Sequence, residues 1–279
     1  MLVLNIVSAV IWDPERTAIL LPYIDWPVAW YGILFATGFF LGYLTALKLI
    51  TTVFNDREKA EVFTDRLVWY ITAGMIIGAR LGHVFFYDWE IYRHNLLSIP
   101  KIWEGGLASH GGALGVILAL LIFCWRNREI RFLSLLDIVC VSTGIVGMFI
   151  RLGNFMNQEI LGLPTTMPWG IIFGHPADGS FPEPRHPVQI YEAIGYFAIY
   201  LFLCSKWNRW RTYPGMCSGL FFILLFTFRF IIEWFKALQS LSMEGNSPLL
   251  MGQWLSIPFV ILGIMIFYFS RSDFSLGRK

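Results

Sequence analysis

Between Gly147 and Gly162 the chain reads GMFIRLGNFMNQEILG, so Arg151, Asn154, Asn157 and Glu159 follow directly on a long apolar run. Comparable polar groups interrupt other apolar stretches. They are Tyr31 in WYG, Arg80 in GARLGHVFFY, His110 in ASHGGALG, and His186, Gln189 and Glu192 in RHPVQIYE. Arg229 and Glu233 follow in FRFIIEWF, and Gln253 in MGQWLSIP. Several arginines and a histidine are donors for an anion, and the planar guanidinium fork matches phosphate oxygens. Glu159, Glu192 and Glu233 can tune or pair those cations, and Arg229 and Glu233, four apart, share a helix face. Each residue alone also has a plain structural use. His110 can be a satisfied interior histidine, the Arg229–Glu233 pair a structural ion pair, and Asn154 and Asn157 helix caps. The Gly111–Gly115 spacing suits helix packing. The four cysteines form no CxxC or Cys/His pattern, so neither a zinc site nor a redox motif is supported.

Holding such groups in place falls to membrane helices. The 279 residues are 56% hydrophobic and only 14% charged, too apolar to cover a water-facing surface. The net charge of +2 favours no particular partner, and no basic, aromatic-interleaved stretch points to nucleic acid. Seven stretches meet the length and apolarity of a span: roughly 28–50, 67–87, 106–125, 132–150, 187–205, 215–235 and 252–270. The expected fold is therefore an all-α, polytopic membrane helix bundle forming a single integral-membrane domain over 1–279. Residues 1–25, which contain neither the basic n-region nor the small-residue cleavage site of a signal peptide, read as an N-terminal interfacial arm. Residues 151–186, rich in Pro and Gly, read as an ordered loop between spans four and five.

Lysine and arginine give the direction. Thirteen of the 21 fall in the first, third and fifth connections and at the C-terminus, which positive-inside retention places in the cytoplasm. The N-terminus is then expected outside, with the 151–186 loop. On that topology every unusual polar group lies toward the outer end of its span. Scattered structural polars would not share one depth, so a single site is expected there. With lipid all around, a phospholipid headgroup whose phosphate rests on arginine is the economical ligand. An arginine-lined transporter of an anionic or lipid substrate is the rival reading, but it needs polar groups at several depths.

These blocks, taken together, resemble the bacterial prolipoprotein diacylglyceryl transferase family. Arg151, Gly153, Asn154, Phe155, Asn157, Glu159 and Gly162 match its signature, while Ile150 replaces the leading glycine with a bulkier side chain. WYG, GARLGHVFFY, SHGGALG, HPVQIYE, FRFIIEWF and MGQWLSIP resemble its other blocks in the same order, from about residue 26 to 260. Leu225 stands where some relatives have a tyrosine, so that hydroxyl is dispensable or supplied from elsewhere.

The resemblance implies a transferase of the bacterial cytoplasmic (inner) membrane, with its site on the periplasmic or outer side and no metal or other cofactor. It would move the diacylglyceryl group of phosphatidylglycerol onto the lipobox cysteine of a prolipoprotein signal peptide. Under that reading Arg151 and Arg229 hold the phosphate, and His110 is either a base or a phosphate contact. Asn154, Asn157 and Glu159 orient the glycerol or the loop. Tyr31, Arg80 and Gln253 are further lipid contacts. Gly153, Gly162, His186, Gln189, Glu192 and Glu233 support them.

Overall fold

The computed structural model describes residues 10–23, 25–237 and 248–276. The first nine residues of the expected arm, and the C-terminal Arg278 and Lys279, lie outside the described residues. Strands β1 (Val10–Trp12), β2 (Thr17–Leu21) and β3 (Trp26–Ala29) precede helices α1 (Trp30–Phe54) and α2 (Arg57–Phe86). A one-turn helix α3 (Trp89–Tyr92) leads to α4 (Ser109–Arg126) and α5 (Phe132–Met156). Strands β4 (Ile171–Phe173) and β5 (Pro184–Arg185) follow, then α6 (Val188–Trp210), α7 (Met216–Ile232) and α8 (Met251–Leu276). Among the described residues seven helices are long and apolar enough to cross a membrane. Large apolar side chains such as Phe40, Trp69, Leu118, Ile194 and Ile261 point outward, as lipid-facing surfaces require.

Helices α1, α2, α5, α6 and α8 run past their expected limits, and two of these extensions matter most. Helix α2 starts at Arg57, ten residues before the apolar stretch, capped by Asp56 accepting from the Lys59 amide at 3.1 Å. Its charged first turns still bury one face, Ala60, Phe63 and Thr64. Helix α5 continues through Arg151 to Met156 instead of ending at residue 150, so the polar signature begins on a helix.

The chain forms two compact units. In the unit spanning Ala46–Ile138, α2 and α4 pack through glycine. A Cβ on Gly78 would lie 2.7 Å from Gly115 Cα, and one on Gly82 would lie 2.7 Å from Gly111 Cα. The backbones touch, and the Ala108 amide donates to Ala79 O at 2.9 Å. At the other end of the pair, Phe63 meets Phe54 and Phe123 edge-on, with centroids 5.0 and 4.9 Å apart.

The other unit joins the chain up to Thr45 with the chain from Val139 onward. Here β1 pairs in parallel with β4, Val10 opposite Ile171, and β4 pairs antiparallel with β5. The loop thereby gains a small core of Phe155, Leu161 and Phe173, against which Trp12, Ile171 and Ile190 pack. The strands were not legible as such in the sequence, which read as helices and loop. A second backbone tie runs from the loop to the end of α7: the Leu163 amide donates to Phe235 O at 2.8 Å, and Ala237 to Leu161 O at 2.9 Å. Four spans separate β1 from β4, and two separate Leu163 from Phe235. Both counts are even, so each tie joins segments on one side of a membrane.

Candidate functional site

Continuing α5 to Met156 puts Arg151 and Asn154, three apart, on one face. Arg151 Nη1 donates to Asn154 Oδ1 at 3.0 Å. The helix ends at Met156, and two residues on, Gln158 has a left-handed φ of 55°. That reversal brings Glu159 back over the helix end. Its Oε1 accepts from Asn154 Nδ2 at 2.7 Å and from Asn157 Nδ2 at 3.4 Å. The Glu159 carbonyl accepts from Gln189 Nε2 at 2.8 Å. Gln189 is fully buried, and its Oε1 has no hydrogen-bond partner among the described residues. The ring of Tyr31 fills the space that Gly153 leaves free: a Cβ there would lie 2.8 Å from Tyr31 Cδ2.

Helices α6 and α7 add the charged centre. Glu192 is fully buried, and its two oxygens face different cations. Oε2 lies 3.0 Å from Arg151 Nε, off the line of the N–H, so the two are paired by proximity without a hydrogen bond. Oε1 accepts from Lys236 Nζ at 3.0 Å and from the Tyr196 hydroxyl at 3.2 Å. Lys236 also lies 3.4 Å from Glu233 Oε2. The Tyr196 hydroxyl accepts in turn from Arg229 Nη1 at 3.2 Å. Arg229 is half-buried, and among the described residues no carboxylate pairs with it within 4.0 Å. One hydrogen-bonded and ionic chain therefore links Glu159, Asn154, Arg151, Glu192, Tyr196 and Arg229.

Gln253 and His186 serve the frame around that chain. Gln253, 1% exposed, accepts from the Leu250 amide at 3.1 Å and donates to Phe230 O at 3.3 Å. It ties the start of α8 to α7. The carboxylate of Glu233 lies where a side chain on Gly252 would have to go. His186 Nδ1 meets the Tyr191 hydroxyl at 3.2 Å, and its backbone closes over Gly162, where a Cβ would clash.

In the other unit Arg80 is 3% exposed. Its Nε donates to Ile99 O at 2.6 Å and its Nη2 to Ser98 O at 2.8 Å. Nη1 donates to Gly105 O at 2.6 Å and Gly106 O at 3.3 Å. The guanidinium also lies 5.0 Å from the centre of the Tyr92 ring. Four carbonyls thus take up most of the donors that sequence reading assigned to lipid. His110, in the first turn of α4, is exposed. Its ring centre is 5.7 Å from those of both Phe86 and Tyr87.

Sequence reading missed Lys236, Tyr196, Gln158 and Asp13. Lys236 counted only as a loop charge, although it lies three residues beyond Glu233. Tyr196 stands four residues after Glu192, a helical spacing that could have exposed it. It also presents to Arg229 a hydroxyl that Leu225, on Arg229's own helix, does not. Gln158 and Asp13 carried no local signal, because they meet across 145 residues.

The profile of the prolipoprotein diacylglyceryl transferase family matches residues 18–269. The chain is 44% identical to the phosphatidylglycerol–prolipoprotein diacylglyceryl transferase of Tolumonas auensis, over 88% of this chain and 92% of that one. It is 42% identical to the protein of the same name from Porphyromonas gingivalis, over 86% and 88%. With that from Protochlamydia amoebophila it shares 36% identity over 91% and 93%. The chain belongs to the prolipoprotein diacylglyceryl transferase family.

Proposed function

We propose that this protein transfers the diacylglyceryl group of phosphatidylglycerol to the cysteine thiol of a prolipoprotein. The observation that carries the reading is Arg229. It is a half-buried guanidinium without a carboxylate within ion-pair distance among the described residues, joined through Tyr196 and Glu192 to Arg151. An anion offered to this cluster meets an unpaired cation and a second one already oriented. The anion of the substrate is its phosphodiester.

In the reaction the cysteine sulfur forms a bond to the glycerol CH2 carbon, and the bond from that carbon to the phosphate ester oxygen breaks. Glycerol 1-phosphate leaves with the electron pair, and the thiol proton is lost. The departing phosphate gains charge, so Arg229 and Arg151 bind it more strongly in the transition state than in the ground state. A free thiol, with a pKa near 8.5, is only a few per cent thiolate at neutral pH. A general base contributes about 10²–10⁴-fold, and His110, an exposed imidazole in the first turn of α4, takes that role. Asn154, Asn157 and Glu159 fix the turn beside Arg151. Arg80 acts on its own loop, anchoring residues 98–106 ahead of His110.

Positive-inside retention supports a site on the extracytoplasmic face. The test combines purified protein, phosphatidylglycerol vesicles and a lipobox peptide, and reads the mass of the peptide. A diacylglyceryl adduct on cysteine, lost in Arg229→Ala, supports the reading; no adduct with the unmodified protein overturns it.

A further inference from the structure

Directly after strand β1 comes Asp13, whose side chain reaches the turn that closes the signature helix. Asp13 Oδ1 accepts from Gln158 Nε2 at 3.1 Å and meets His175 Nδ1 at 2.6 Å. Gln158 uses its other groups in the same knot: its Oε1 accepts from the His175 amide at 2.7 Å, and its carbonyl from the Ala177 amide at 2.9 Å. Gln158 is 1% exposed, so both ends of its amide are fastened away from solvent. Just before Asp13, Trp12 Nε1 donates to Phe155 O at 3.2 Å, and the two rings stack with centroids 4.5 Å apart. Gly174 leaves room for the carboxylate, since a Cβ there would collide with Asp13. Its amide donates to Trp12 O at 3.0 Å.

This knot holds a costly conformation. A glutamine at φ 55° sits in the left-handed region that non-glycine residues avoid, and it persists only where its surroundings over-determine it. The residue after it is Glu159, and the left-handed turn is what folds Glu159 back onto Asn154 and thus toward Arg151. We infer that Asp13 is a positioning residue for the transferase reaction. By anchoring the Gln158 side chain from the N-terminal strand, it keeps Glu159 on Asn154 and the Arg151 guanidinium aimed at the phosphate. This rests on the function proposed above. It assigns Asp13 no contact with substrate.

The same vesicle and peptide assay tests it with the full chain. Asp13→Ala should lower kcat by about 10–100-fold, the scale of a misplaced reacting geometry, with the KM for peptide unchanged. Asp13→Asn keeps an oxygen acceptor for Gln158 and should recover most of the rate. In an Glu159→Ala background, Asp13→Ala should add little, because both changes free the same asparagine. Equal losses from Asp13→Ala in the presence and absence of Glu159 would mean a general fold defect and overturn the inference, as would wild-type rates in Asp13→Ala. An inactive unmodified protein would instead overturn the proposed function, so the two failures are distinguishable.

Discussion

Lys236 Nζ lies 3.0 Å from Glu192 Oε1, on the oxygen opposite to the one that Arg151 approaches. A single fully buried carboxylate therefore stands between two cations from different segments, α5 and the stretch after α7. Removing one partner of such a buried set is far more damaging than its net contribution suggests, because the remaining charges stay desolvated.

Glu192→Gln should accordingly lower stability by about 3–5 kcal/mol, read as a drop in the thermal midpoint in detergent, and abolish transfer. Adding Lys236→Met removes the surplus charge. The double variant should regain part of the midpoint while transfer stays low, since Arg151 still lacks its counter-charge. An unchanged midpoint in Glu192→Gln would show that the carboxylate bears no structural charge.

The Tyr196 hydroxyl bridges Glu192 and Arg229. Tyr196→Phe loses hydrogen bonds to charged groups, about 1.5–3 kcal/mol, and should slow transfer roughly 10–100-fold. Leu225 lies four residues before Arg229 on α7, so Leu225→Tyr brings a second hydroxyl to the same helix face. In the Tyr196→Phe background it should restore part of the rate. Arg229→Lys should lose more than it keeps, because an ammonium lacks the fork.

His110→Gln should lower the rate at neutral pH by about 10²–10⁴-fold and change the shape of the pH–rate profile. With the base gone, the rate should climb toward pH 8.5 as the free thiol ionises. A uniform loss with an unaltered profile would assign His110 to phosphate binding instead.

Gly78→Ala introduces a methyl group where Gly115 Cα would be 2.7 Å away. Helices α2 and α4 must then separate, at a cost of about 1–3 kcal/mol. The midpoint should fall, whereas Gly32→Ala, with open space around its Cβ position, should leave it within about 0.5 kcal/mol.

The seven spans and the glycine-mediated helix contact were legible because apolar length and small-residue spacing are local properties of the chain. The same holds for Arg151, Asn154, Asn157 and Glu159, which lie within nine residues and act on one another. The extra turns of α5 were not: the polar side chains that make Arg151–Met156 look like loop are satisfied by one another and by Glu159. Arg80 could be recognised as an interior cation, but its carbonyl partners at 98–106 lie on irregular backbone that no periodicity predicts. Asp13 and Lys236 escaped notice for a related reason. Each is an ordinary exposed-type residue whose burial or bonding is created by β-pairing between distant segments, Val10 with Ile171 and Gly162 with Lys236.

The parallel pairing of Val10–Trp12 with Ile171–Phe173 also imposes an order on biogenesis. The first strand leaves the ribosome some 160 residues before its partner, on the order of 10–30 s at ordinary rates of synthesis. Meanwhile the nascent chain must thread four helices into the bilayer with that strand unmatched. The signature turn can acquire its N-terminal anchor only after translation has passed the middle of the chain, so four spans precede the segment that completes it.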